Sequence, residues 1–212
     1  MRFLIIWCLL LFSFCSFAQD SIRISGQLLH NTRFAKVVVS KFGVGSFPIA
    51  VVPIQEEKFS LTAPGNIEPG VYRFQYSQTA SEYVDIILNG KEKEITFTLD
   101  ALSENKVPTF TQSKENELWY NYQNQSQLQL QKIEMLNQFA AIYPSATDKI
   151  VTQARQALAL EKENYTTQKN IFLKNNSTTW AALMEQNKSY YFTNPKDDWR
   201  IQNLQKHQHF WD

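Results

Sequence analysis

Cysteine is almost missing from this chain of 212 residues: Cys8 and Cys15 are its only two. Both lie in a leading stretch that reads as removable. The mature chain then has no thiol, which excludes disulfides, thiolate nucleophiles and cysteine-ligated metals. Histidine is scarce too, with His30, His207 and His209 alone. His207 and His209 sit two apart in a segment that reads as a helix end, where they face different ways. No further ligand types cluster near them, so no metal site is expected. Charge of one sign is not in excess: 21 basic residues stand against 20 acidic ones. Phosphate neutralisation needs a clustered basic surplus, so nucleic acid is not expected as a partner.

Catalytic motifs are equally sparse. No serine sits in the glycine-flanked elbow of a hydrolase. Gly43-Val44-Gly45 lacks the third glycine and the following helix of a dinucleotide loop. Glu56-Glu57 and Asp197-Asp198 are adjacent acids, which cannot face each other across a glycosidase cleft and read as turn and helix-start charges. No catalytic residue, cofactor site or metal site is assigned, and the expectation is a protein that is not an enzyme.

The start of the chain is informative. Arg2 precedes an apolar run from Phe3 to Phe14, broken only by Ser13, and Ser16-Phe17-Ala18 ends it with small residues where a signal peptidase reads them. This is the pattern of a secretory signal peptide, with cleavage expected between Ala18 and Gln19. A membrane anchor is the competing reading, but Phe3–Ala18 falls short of the roughly 20 residues of a spanning helix. Lipidation at Cys15 is disfavoured because Phe14, not a small residue, precedes it. The expected location is periplasmic or secreted, without a stable membrane anchor.

Composition divides the remainder. All six glycines precede residue 91, and beyond Lys114 proline occurs only at Pro144 and Pro195. Turn formers punctuate strands, and their absence permits long helices. Ile22/Ile24/Leu28, Phe59/Leu61, Tyr72/Phe74/Tyr76 and Ile95/Phe97/Leu99 alternate with polar residues, the period of a sheet with one face buried. Val37–Val39 and Ile49–Val52 are apolar runs suited to central strands. Asn89-Gly90 is a strong hairpin signal, for a type I′ turn needs positive φ at both positions. Seven or eight strands are expected before a boundary near Gln112-Ser113.

Beyond it, Trp119, Tyr122, Ile133, Leu136 and Ala140 form one helical stripe, and Val151, Ala154, Leu158, Tyr165 and Phe172 a second, separated by Pro144-Ser145. Polar gaps at Ser126, Gln129, Glu161 and Gln168 interrupt both stripes. Ser177 is the expected cap of a third short helix carrying Trp180, Leu183 and Met184, and Asn194-Pro195 the start of a fourth. Asn and Gln supply 24 of the 99 residues from Lys114 onward, and their interleaving with apolar residues at helical spacing assigns them to solvated helix faces. The aromatic groups Trp119-Tyr120, Tyr190-Tyr191-Phe192 and Phe210-Trp211 are expected mostly to seal the junction of sheet and helices. The fold class is therefore α+β: an antiparallel β-sandwich-like domain over 19–112 after a signal peptide over 1–18, then a helical hairpin and short helices over 113–212. Trp199, Phe210 and Trp211 are the candidate interaction surface, for an unknown protein or for self-association through the C-terminal helices.

Ile24-Ser25-Gly26-Gln27, Lys58-Phe59-Ser60-Leu61, Pro69-Gly70-Val71-Tyr72-Arg73-Phe74 and Asp85-Ile86-Ile87-Leu88-Asn89 follow in that order, and Ser113-Lys114-Glu115-Asn116 opens a long helix. Over residues 20–120 this pattern resembles a domain of unknown function that precedes thioredoxin-like domains in secreted Bacteroidetes-type proteins. The helical part resembles the spacer that follows there, and His209-Phe210-Trp211-Asp212 resembles the start of a motif leading into the thioredoxin-like fold. The thiol–disulfide oxidoreductase activity that the resemblance implies needs a Cys-x-x-Cys, which this sequence does not contain. Two functions are thus expected: a non-catalytic periplasmic binding or accessory module of unknown ligand, or the N-terminal portion of a thioredoxin-like protein lacking its catalytic domain.

Overall fold

A computed structural model describes residues 21–42, 48–77, 82–103, 106–143 and 148–187. Ala18, Gln19, Trp199, Phe210, Trp211, the Tyr190–Phe192 group, Gly43–Gly45 and the expected fourth helix lie outside the described residues. The elements are β1 (Ser21–Leu29), β2 (Lys36–Lys41), β3 (Ala50–Pro53), β4 (Lys58–Pro64), β5 (Gly70–Gln75), β6 (Tyr83–Leu88), β7 (Glu94–Asp100), β8 (Thr109–Gln112), α1 (Lys114–Ile142), α2 (Lys149–Asn175) and α3 (Trp180–Gln186). The α+β architecture matches the sequence reading.

The strands form two four-stranded sheets, ordered β4-β1-β7-β8 and β3-β2-β5-β6. Their inner faces share one core, to which every strand contributes: Ile24, Val37, Val52, Phe59, Phe74, Ile86, Phe97 and Phe110 are examples. The alternation seen in the sequence is the alternation of burial along β1 and β7. Phe59 of one sheet stacks on Phe74 of the other at 6.1 Å and meets Phe97 edge-on at 5.8 Å. Gly26 lies beneath two of these rings. A Cβ there would stand 2.3 Å from Phe59 Cζ and 2.9 Å from Phe97 Cζ. This position needs the absence of a side chain, because the space is already filled by aromatic carbon.

Four local expectations are corrected. The sandwich is not wholly antiparallel, since β1 pairs with β7 in parallel register. Asn89-Gly90 is not a hairpin: β6 and β7 belong to different sheets. Gly90 has φ +73°, but Asn89 is not among the positive-φ residues, and its Oδ1 instead accepts hydrogen bonds from the Lys91 and Glu92 amides. The side chain builds an Asx turn that carries the chain between sheets. The two-residue turn with both centres at positive φ is Glu56-Glu57 (φ 48° and 65°), closed by reciprocal Gln55–Lys58 backbone bonds. Third, β3 is an edge strand, with Ile49 and Val51 more than half exposed. Last, Thr179, not Ser177, caps α3, its hydroxyl accepting from the Ala182 amide.

The two outer faces differ. That of β4-β1-β7-β8 presents Ser25, Ser60, Thr62, Thr96, Thr98 and Thr109 to water. That of β3-β2-β5-β6 is partly covered by the helices, and Val71 and Ile87 join Trp119, Phe172, Ala181, Ala182 and Met184 in a second core. Beneath this cover, the Arg73 guanidinium forks onto Asp85 with two 2.8 Å bonds and lies 3.6 Å from the Tyr83 ring centre. Burial pushes the Asp85 carboxyl up, and Arg73 opposes that push.

α1 also closes the free edge of β6. The Ile87 amide donates to Asn116 Oδ1 at 2.7 Å, and Asn116 Nδ2 donates back to the Ile87 carbonyl at 2.9 Å. The Asp85 amide donates to the Tyr120 hydroxyl, which donates to the Asp85 carbonyl. Asn116 and Tyr120 stand one helical turn apart, about 6 Å. Ile87 and Asp85 stand two strand residues apart, about 6.6 Å. The two repeats match closely enough for a helix to take the place of a further strand.

Candidate functional site

The helices begin on well-made caps. Ser113 Oγ accepts from the Asn116 amide and donates to Glu92 Oε2 at 2.6 Å, which ties the start of α1 to the turn before β7. Asp148 caps α2. Neither helix contains glycine or proline, so both run long. Their apolar stripes meet as a hairpin, and Tyr122 stacks on Phe172 at 3.7 Å with the rings 14° apart.

Where the stripes are interrupted, the helices leave a cleft of about 350 Å³. Three of the four polar gaps noted in the sequence, Ser126, Gln129 and Gln168, line it. Glu161 is not among its lining residues. The walls carry six carboxamides, Asn121, Gln125, Gln129, Gln168, Asn175 and Asn176, with Tyr165 beside them. Asn121, Gln125 and Gln129 recur every four residues and so form one rail along α1.

Charge is balanced at the base. Lys169 is the one charged lining residue, and its Nζ lies 3.5 Å from Oε1 of Glu185, whose side chain is fully buried. Gln123 Nε2 donates to Glu185 Oε2. The Tyr122 hydroxyl sits close enough to Glu185 and Ser126 to feel both, and burial, then the Glu185 charge, push its pKa well above the ordinary tyrosine value. The hydroxyl therefore stays protonated at any physiological pH. Ser126 is 5% exposed, yet neither its Oγ nor Tyr122 Oη makes a hydrogen bond of standard geometry within the protein. Buried hydroxyls without partners cost about 1–3 kcal/mol each.

A larger hollow of about 560 Å³ lies over Gly26 and is lined by Ser25, Gln27, Lys58, Ser60, Thr96 and Thr98 among others. No lining hydroxyl there is buried without a partner, so nothing in it calls for a ligand. Among the described residues, no group of three or more His, Cys, Asp or Glu side chains could hold a metal ion. None of their helices is long and apolar enough to cross a membrane. His30 Nδ1 donates to Asp100 Oδ1 at 3.1 Å on the surface.

The sequence reading took the polar gaps as weaknesses of the helix seam and missed the cleft. Its signal was present in the four-residue spacing of Asn121, Gln125 and Gln129. Glu185 had no such signal, for its burial comes from α3 folding back onto the hairpin.

No protein-family model matches this chain, and neither a curated protein nor a solved structure is similar to it.

Proposed function

We propose that the chain is a non-catalytic binding module of the cell envelope, exported by cleavage after Ala18, in which the α1–α2 cleft takes a small uncharged ligand. The observation that carries this reading is a cleft walled by six carboxamides whose one charged lining residue, Lys169, already faces Glu185. The groups there donate and accept hydrogen bonds without net charge, which suits recognition. The β-sandwich is the platform, and α3 closes the base.

A thermal-shift survey of the signal-cleaved chain against a chemically diverse small-molecule library tests it. A ligand that binds only the folded state raises the midpoint by mass action. At least one class of neutral compounds should do so, and Gln129→Trp, which fills the cleft, should abolish the response while leaving the unliganded midpoint unchanged. Absence of any stabilising compound, or an equal response in the filled variant, refutes the reading.

A second reading is the N-terminal portion of a thioredoxin-like thiol–disulfide protein. What supports it is the order in the sequence of the motifs that carry the resemblance, Ile24–Gln27, Lys58–Leu61, Val71–Phe74 and Asp85–Leu88. A coding sequence downstream of Asp212 that contains a Cys-x-x-Cys supports it, and an immediate stop codon removes it.

A further inference from the structure

We infer that the ligand of the α1–α2 cleft is a neutral saccharide, an inference that rests on the cleft being the binding site. Three features point this way. First, the only lining charge already faces Glu185 at 3.5 Å. An anionic ligand would have to compete with that carboxylate for Lys169, and a cation would meet the ammonium. Second, each carboxamide presents a planar fork with donors on one arm and an acceptor on the other. Adjacent hydroxyls on a sugar ring present the same mixture, so one amide can give to one hydroxyl and take from the next. The rail of Asn121, Gln125 and Gln129 repeats this fork each turn, and Gln168 opposes it from α2. Third, the half-buried Tyr165 supplies an aromatic wall, against which the apolar C–H face of a sugar can pack.

A peptide fits less well. Peptide sites use an open strand edge or a run of apolar pockets for alternate side chains. The cleft's apolar lining is limited to Leu118, Ile171 and Phe172, and Phe172 is stacked beneath Tyr122. The volume, about 350 Å³, lies at the small end of ligand cavities, which run from roughly 300 to 1,000 Å³. One or two sugar units fill it, and a longer glycan would be held by one end.

The test follows the side-chain amide signals of Asn121, Gln129 and Gln168 in the isotopically labelled, signal-cleaved chain. Glucose, galactose, mannose, N-acetylglucosamine and their common disaccharides form one arm, a neutral blocked tripeptide the second and inorganic phosphate the third. At least one saccharide should shift these signals with a Kd near millimolar or tighter, about −4 kcal/mol or better. Gln129→Leu should weaken that binding about tenfold with an unchanged thermal midpoint, Tyr165→Ala should weaken it about tenfold in a chain that circular dichroism shows still folded, and Tyr165→Phe should retain it. No shift by any saccharide at about 10 mM, well above a millimolar Kd, overturns the inference. A shift by the tripeptide or phosphate alone leaves the cleft as a binding site and removes the saccharide. Saccharide shifts that survive both weakening variants place the site elsewhere and also overturn it.

Discussion

Replacing Gly26 with alanine sets two effects of opposite sign against each other. On backbone grounds the change should help, because glycine inside a strand costs roughly 0.5–1 kcal/mol relative to alanine. The packing argues the other way. The new methyl carbon would lie 2.3 and 2.4 Å from Phe59 Cζ and Cε1 and 2.9 Å from Phe97 Cζ. These are ring ends, but Phe59 and Phe97 are only 5% and 1% exposed, and each touches another aromatic ring. Moving either ring disturbs the line from Phe74 through Phe110. Overpacking of this kind costs about 1–3 kcal/mol; with all three contacts below 3.0 Å the upper part of that range, about 2–3 kcal/mol, applies, and less the full backbone gain of about 1 kcal/mol the clash wins by about 1–2 kcal/mol. For a chain of this size that lowers the thermal midpoint by roughly 2–8 °C, which circular dichroism melting of the signal-cleaved chain can measure. The cause is then isolated by a double-mutant cycle. Phe59→Leu removes the ring atoms that the methyl would strike, so Gly26→Ala should cost far less in that background. An unchanged or raised midpoint for Gly26→Ala, or full additivity in the cycle, would falsify the claim that this glycine serves ring packing.

Asn116→Ala strips a buried amide and carbonyl of Ile87 of their partners; a loss of about 2–4 kcal/mol is expected from unsatisfied buried groups, with hydrogen exchange at Ile87 rising before that of Phe97, and equal protection of both would refute it. Replacing Glu56-Glu57 by Asn-Gly relieves two non-glycine residues at positive φ and should raise stability by about 0.5–1 kcal/mol in urea unfolding, a result contradicted by any loss. The hydrogen bond from His30, then that from the Leu102 amide, hold the Asp100 carboxyl below its ordinary 3.8. Its stabilising contribution is present above that value and lost as the pH falls through the folded pKa; in His30→Ala the carboxyl titration seen by NMR should move upward, and an unmoved midpoint would show that the imidazole is not the cause.

Much of the fold was legible in the residues. Period-two alternation marked β1, β4, β5 and β7 because one face of each meets a single core. Loss of glycine and proline marked the helices, and Ser113 lies at the junction because its hydroxyl can cap α1. What could not be read was anything set by distant partners. The alternation in β1 and β7 says which face is buried but is silent on whether the strands run parallel. The apolar run at Ile49–Val52 looks like a central strand, yet its place at an edge is decided by which neighbours β2 acquires. Asn89-Gly90 obeyed local turn chemistry through its side chain, whereas Glu56-Glu57, read as turn charges but without the residue types of a tight two-residue turn, was forced into that turn by the strands on either side. The cleft was half visible: the amide spacing lay in the sequence, while Glu185 reaches its place only through the fold of α3.

The closure of β6 by α1 bears on how such a chain can be recombined. Two side chains of the helix, the Asn116 amide and the Tyr120 hydroxyl, act as detached peptide groups for a strand that precedes them by some thirty residues of sequence. A cut at Gln112, where strand content gives way to helix, would look like a natural seam for moving the sandwich into another protein. It would leave β6 with open hydrogen-bonding groups and Val71 and Ile87 bare, a template for adding foreign strands. The portable unit is therefore longer than its strands, and must carry the first two turns of α1 with it wherever it goes.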